Sequence, residues 1–161
     1  MKQNIKELVE NLIKKKETIS TMESCTGGGV ANAITNIPGA SEVLKYCAIT
    51  YSNDAKIKMG VDKDIIEKYS VYSMETAIAM SKAISNFFNA DYGVGITGKL
   101  KKTDTANLSG EDDAVYISIF NKKTDKCFTS SIKVSFDTRE QNKEQIIDKI
   151  CEMFKNNIFV K

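Results

Sequence analysis

The sequence predicts an α/β fold, a three-layer α/β/α sandwich around a mixed, mostly parallel sheet. Two observations carry this. Segments of helical periodicity alternate with short strand-like runs, the pattern of a sheet covered by helices on both faces. Late in the chain two strand-like runs follow one another with no helix between them, which adds a hairpin and makes the sheet mixed. No linker, repeat or low-complexity stretch divides the 161 residues, so 1–161 is expected to be one domain with a substantial core.

Each element has a local cause. Ile5, Leu8, Val9, Leu12 and Ile13 recur at helical spacing and predict an amphipathic helix over 3–16. Residues 18–22 read as a strand. The run after Gly29 reads as a helix of about three turns, stopped near Ile37-Pro38-Gly39. Leu44–Tyr51 is rich in β-compatible residues and predicts a strand. Ser52-Asn53-Asp54 offers caps for a short helix carrying Lys56 and Met59, and Asp62 or Asp64 starts another through Tyr69. Ser73 caps a longer helix whose Ala77, Ile78, Met80, Ala83, Ile84, Phe87 and Phe88 suit a face packed on the sheet. Tyr92–Thr97 is a strand ending at Gly98, and 99–113 is polar, aperiodic and read as a loop. Ala114–Phe120 and Cys127–Phe136 form the hairpin. The last helix, 139–157, buries Ile146, Ile147, Ile150, Met153 and Phe154.

Composition excludes several function classes. The net charge of +2 gives no basic footprint for nucleic acid or an anionic membrane surface. No apolar stretch is long enough to span a bilayer, and residues 1–7 lead into an amphipathic pattern and not a signal-peptide core. The four cysteines are scattered without a C-x-x-C pair, which suits reduced, mostly buried thiols and a cytoplasmic location. Histidine is absent, so Ser-His and Cys-His catalytic pairs and His-containing zinc sites are excluded within the chain. Glu111-Asp112-Asp113 lacks metal-loop spacing, and neither a metal nor a cofactor is expected. Arg139 is the sole arginine, a planar bidentate donor that none of the lysines replaces.

The chemistry concentrates in Met22-Glu23-Ser24-Cys25-Thr26-Gly27-Gly28-Gly29. A hydroxyl-rich, glycine-rich turn between a strand and a helix presents free backbone N–H groups and the positive end of the helix dipole. Such a turn can hold a phosphate or stabilise an oxyanion, with the Ser24 hydroxyl within a substrate's reach. The same residues also make an ordinary N-cap, with Ser24 or Thr26 as the cap and the glycines as a tight turn. Ser24 acts as a nucleophile only if a base takes its proton. Without histidine the candidates are Lys56 and Tyr51, five residues apart, with desolvation or nearby cations needed to bring the lysine pKa to about 7–8. Against this, Lys56 reads equally as a solvated surface lysine and Tyr51 as a core ring with its hydroxyl at the rim. Cys25 competes as nucleophile, since a helix N-terminus lowers a thiol pKa. Lys99, Lys101 and Lys102 could draw an anionic substrate but suit a solvated loop, and Tyr69, Tyr72 and Tyr92 suit core or rim positions. In open α/β sheets ligands bind at the carboxyl ends of strands, where Ser24–Gly28, Tyr51–Lys56 and Thr97-Gly98 all fall.

Together these residues resemble the CinA C-terminal-domain family, whose active members are nicotinamide-nucleotide amidohydrolases. The resemblance runs through Glu23–Gly28, Ile37–Ser41, Thr50–Lys56, Gly60-Val61, Val71–Glu75 and Gly95–Gly98, nearly the whole chain. It implies hydrolysis of the carboxamide of nicotinamide mononucleotide to nicotinate mononucleotide and ammonia. It makes Ser24 the nucleophile, and Tyr51 and Lys56 catalytic partners, either being the base. Cys25, Thr26, Gly27, Gly28, Ser52, Asn53, Thr97 and Gly98 fall at substrate-binding positions. Asp137-Thr138-Arg139 looks like the family's late arginine motif, which gives Arg139 the nucleotide phosphate to hold. As a plain surface charge it would sit at the helix end that the dipole disfavours for a cation.

The resemblance further implies a pyridine nucleotide as the small-molecule partner, no nucleic acid or membrane partner, and a homo-oligomer, dimer or higher. The larger CinA proteins carry a nucleotide-processing N-terminal domain that a chain of this length does not include. The sequence departs from the family after Gly98. Active amidohydrolases continue with a glycine loop and a Lys-Pro-Val-Gly stretch, which 99–113 lacks, and Lys143 stands where a second arginine is expected. Alternative functions are therefore a catalytically silent nucleotide-binding or protein-interaction module with a remodelled 99–113 loop, or an amidase on another small substrate.

Overall fold

A computed structural model describes residues 2–102 and 104–160. Five strands form one sheet in the order β2-β1-β3-β4-β5: β1 (Ile19–Glu23), β2 (Leu44–Ile49), β3 (Tyr92–Gly98), β4 (Ala114–Asn121) and β5 (Lys126–Lys133). β1 pairs in parallel with β2 and β3, whereas β4 runs antiparallel to both of its neighbours, so four of the five strands point the same way. The sheet is mixed, as the hairpin required.

Helices cover both faces. α1 (Lys2–Lys15), α2 (Gly29–Thr35), α3 (Ala40–Val43) and α7 (Arg139–Asn157) pack with Ile19, Val94, Ile96, Ile117 and Ile119 in the larger core. The opposite face carries α6 (Met74–Phe88), with α5 (Lys63–Tyr69) beside it, over a smaller core of Met22, Ala48, Met80 and Ile84. α4 (Asn53–Lys58) follows β2, capped by Ser52, whose Oγ accepts the Ala55 N–H at 3.1 Å.

Four expectations change. The helix after Gly29 is shorter than expected, and a second one, α3, follows it. Gly39 at φ 87° breaks the path after Pro38. β2 and β5 end before Tyr51 and Phe136. Met59 caps α4 and is not one of its turns. Phe87 and Phe88 are exposed beside Tyr46, Phe88 stacked on its ring and Phe87 tilted against it, and the buried face of α6 includes Thr76, Ser81 and Ser85 in their place.

Close approach explains the last change. A Cβ on Gly93 would lie 1.9 Å from the Ser81 carbonyl oxygen, and one on Gly95 2.3 Å from that of Ala77. α6 therefore rests on bare β3 backbone, where only small residues fit, and Ser81 reaches Ser118 Oγ at 2.8 Å.

Because β1, β2 and β3 are parallel, their carboxyl ends share one edge of the sheet. β1 lies between β2 and β3, so its end is the crevice where such sheets bind ligands.

Candidate active site

The turn after β1 is built around Glu23. This last residue of the strand is fully buried, and its carboxylate lies against the start of α2. Oε2 accepts the N–H groups of Gly28 and Val30, both at 3.1 Å, and Oε1 accepts that of Ala31 at 2.9 Å and the Thr21 hydroxyl at 3.3 Å. Gly27 and Gly28, at φ 59° and 90°, make the bend that brings these amides round. Gly28 is the N-cap residue of α2, and the side chain that accepts its first amides is that of Glu23, not of Ser24 or Thr26. The amides read from the sequence as a phosphate cradle already face a carboxylate. Thr26 is buried, with no partner for its hydroxyl among the described residues. Among the described residues the N–H groups of Cys25 and Thr26 donate to no backbone carbonyl.

Lys56 comes to this turn from α4. It is 1 % exposed, so the surface-lysine reading is overturned. Its Nζ lies 3.2 Å from Ser24 Oγ and donates to the Thr50 carbonyl at 2.7 Å. Among the described residues no carboxylate forms an ion pair with it. Burial lowers its pKa from the ordinary 10.5 to about 8, against an opposing pull from Cys25. Burial pushes the Cys25 thiol up to about 12, so the expected lowering of that thiol does not occur. A buried amine against a serine hydroxyl is the contact that a nucleophile–base pair without histidine requires.

A cavity of about 590 Å³ opens over the pair. Ser24, Cys25, Ser52, Asn53, Gly98 and Arg139 line it, as does Tyr51, which is 66 % exposed and not a core ring. The Tyr51 hydroxyl meets Arg139 Nη2 at 3.4 Å, and no hydrogen bond joins it to Ser24 or Lys56. Thr97 stays out of the cavity: it is fully buried and its hydroxyl donates to the Val71 carbonyl at 2.8 Å. Its side chain points to the α6 face of β3, together with Gly93 and Gly95, because a strand alternates its faces. Gly27 and Gly28 shape the turn without lining the cavity. Lys143 Nζ lies 3.5 Å from where a Gly27 Cβ would be, one helical turn beyond Arg139 on α7.

The stretch read as a solvated loop forms a wall. Thr103 lies outside the described residues, but Lys99, Leu100, Lys102, Asp104, Ala106 and Asn107 all face the cavity. Tyr72, expected at the core or rim, anchors this strap through a short hydrogen bond from its hydroxyl to Asp104. Asp104 also accepts from Asn107 and the Ala106 amide, and the three bonds, the one from Tyr72 foremost, hold its carboxyl down at about 2. Burial first and then Asp104 push the Tyr72 phenol up. Asn53 Nδ2 reaches Asn107 Oδ1 at 3.2 Å and ties the strap to α4. Lys99 is 3 % exposed, paired with Asp112 at 3.2 Å and seated over the Tyr72 ring, whereas Lys101 turns away to the Ser135 carbonyl.

Among the described residues no group of three or more His, Cys, Asp or Glu side chains could hold a metal ion, and no helix is long and apolar enough to cross a membrane.

Comparison with known proteins gives a consistent result. The model of the CinA C-terminal domain matches residues 1–158. A CinA-like protein of Endomicrobium trichonymphae is 30 % identical over 152 residues, 93 % of this chain and 34 % of that protein. A CinA-like protein of Kosmotoga olearia is 46 % identical over 98 residues, 60 % of this chain and 24 % of that one. The chain thus spans about a quarter to a third of the length of these relatives. Among solved structures, a competence/damage inducible protein from Agrobacterium tumefaciens superposes with a TM-score of 0.81 at 25 % identity, covering 94 % of each chain. The competence damage-inducible protein A of Klebsiella pneumoniae does so with 0.87 at 20 % identity, covering 98 % of this chain and 96 % of that one.

Proposed function

The chain belongs to the CinA C-terminal domain family, and from that premise we propose that it is an amidohydrolase converting nicotinamide mononucleotide and water to nicotinate mononucleotide and ammonia. The observation that carries this reading is the Ser24–Lys56 contact. A buried amine with no carboxylate partner among the described residues, its pKa lowered to about 8, keeps a usable neutral fraction near physiological pH and is placed to take the serine proton.

In this reading Lys56 Nζ removes the Ser24 proton as Oγ attacks the carboxamide carbon. The Cys25 N–H, next after the nucleophile, and the Thr26 N–H stabilise the oxyanion, each worth roughly 3–4 kcal/mol where well placed. The Lys56 ammonium then gives its proton to the departing ammonia, leaving a nicotinoyl ester on Ser24. Water attacks that ester with Lys56 again as base, nicotinate mononucleotide leaves, and Ser24 is restored. The Thr50 carbonyl aims the amine throughout. We assign the base to Lys56 in preference to Tyr51, because the tyrosine hydroxyl meets Arg139 instead. Tyr51 and Arg139 stand together at the exposed side of the cavity, where a ring and a phosphate would lie. The cavity volume falls in the range of small-molecule sites, roughly 300–1,000 Å³, so the rewritten strap leaves room for a mononucleotide.

The test is ammonia release from nicotinamide mononucleotide by the purified protein, with Ser24→Ala beside it. Turnover that vanishes in the variant, with nucleotide binding retained, is the expected outcome. A folded wild-type protein that gains thermal stability from the nucleotide without turning it over would be a silent binding module instead.

A further inference from the structure

We infer that Glu23 is a positioning residue, whose buried carboxylate holds the Ser24 turn in its reactive geometry. The inference rests on the reading of Ser24 as nucleophile. Four donors converge on the carboxylate, three of them backbone amides of the segment that follows Ser24. They are the groups that a helix start leaves unsatisfied. A buried amide without an acceptor is costly, so this segment has one favourable seat.

The rest of the residue is fixed as well. Glu23 ends β1, the strand between β2 and β3, in register with Ile49 on one side and Ile96 on the other. Its own carbonyl accepts the Thr50 N–H at 2.8 Å, and the Thr50 carbonyl in turn holds Lys56 Nζ at 2.7 Å. The Ser24 N–H is fastened to the Ile96 carbonyl at 3.0 Å. One residue therefore links both members of the pair: its side chain sets the turn bearing Ser24, and its main chain sets the segment aiming Lys56. It also occupies the amides of Gly28, Val30 and Ala31, so a substrate's anionic group is left to Arg139 and Lys102 at the cavity wall.

Glu23→Gln keeps the shape but turns an NH2 group toward N–H donors, so at least one of these three amides loses its acceptor. A shift of about 1 Å in a reacting group costs on the order of 10²-fold in rate. Ser24 reactivity is read directly with a fluorophosphonate probe. The Oγ–P bond forms, the P–F bond breaks, fluoride leaves, and the proton passes to Lys56. Labelling of Glu23→Gln is expected to slow by about 30-fold or more, with kcat for the amide falling in step and KM within about threefold. Labelling within threefold of wild type overturns the inference.

If Glu23→Gln fails to fold, Thr21→Val removes only the hydroxyl donor and decides the matter. Labelling a few-fold slower at unchanged Tm supports the role, and a wild-type rate overturns it. Wild-type protein that is labelled at Ser24 but releases no ammonia removes the nucleotide substrate and leaves the inference standing. Wild-type protein that is not labelled overturns both.

Discussion

Replacing Lys56 by methionine removes the amine and keeps an unbranched apolar side chain of similar length in a fully buried position. The structure sets the size of the effect. With its pKa lowered from 10.5 to about 8, about 9 % of the amine is neutral at pH 7, against about 0.03 % for an ordinary lysine, a gain of about 300-fold in usable base. Loss of that base is expected to lower kcat by about 10²–10⁴-fold. In wild type, kcat/KM for ammonia release should rise about tenfold between pH 7 and 9 and then level off, as the free enzyme's lysine loses its proton.

Stability should move the other way. The folded state disfavours the ammonium, so the cost is fully present below about pH 8 and disappears as pH rises to 10.5; it is on the order of 3 kcal/mol. Lys56→Met should therefore melt at or above the wild-type temperature at pH 7, and that advantage should shrink by pH 10. Calorimetry and a pH–rate profile, run on both proteins, check the two halves. A flat wild-type profile from pH 7 to 9, or a variant within threefold of wild type in kcat, would refute the base assignment.

The other expectations concern recognition and packing. Arg139→Lys should raise KM for the mononucleotide about tenfold with little change in kcat, since a point charge replaces a bidentate donor. The riboside without its phosphate should not distinguish the two proteins, and an equal KM rise with both substrates would remove the phosphate role from Arg139. Gly95→Ala should destabilise by about 3 kcal/mol or more, because its methyl would meet the Ala77 carbonyl oxygen at 2.3 Å and the Ser81 nitrogen at 2.6 Å. Thermal denaturation followed by circular dichroism reads this, and a loss under about 1 kcal/mol would mean that α6 sits less tightly on β3 than described.

Most elements were legible because their signals are local. Helical spacing from Ile5 to Ile13, the caps at Ser52 and Ser73, and the alternation from Ala114 onward each lie within a few residues. The strand-to-helix turn at Ser24 was legible for the same reason, and so was the placement of Lys56 just after a strand. Gly93 and Gly95 were read as ordinary strand residues, since nothing near them in sequence tells that α6 lies on their backbone. Phe87 and Phe88 continued the apolar periodicity of α6, but the tight seat beneath that helix takes serines and alanines.

At the site, the sequence by itself determined the chemical types: a serine at a glycine turn, a lysine and a tyrosine after the next strand, one arginine, and no histidine. Only the tertiary structure decided which of them meet. It buried Lys56 against Ser24 and left Tyr51 exposed beside Arg139. It turned Thr97 to the far face of β3 and gave the amides of α2 to Glu23. It also folded the polar stretch after Gly98 into a wall tied by Tyr72, Asp104, Asn107 and Asn53. The reason is physical: composition and spacing fix which groups exist and their local conformation, whereas burial, hydrogen-bond partners and the resulting pKa values depend on residues tens of positions away. Those are settled only when the sheet brings the carboxyl ends of β1, β2 and β3 to one edge.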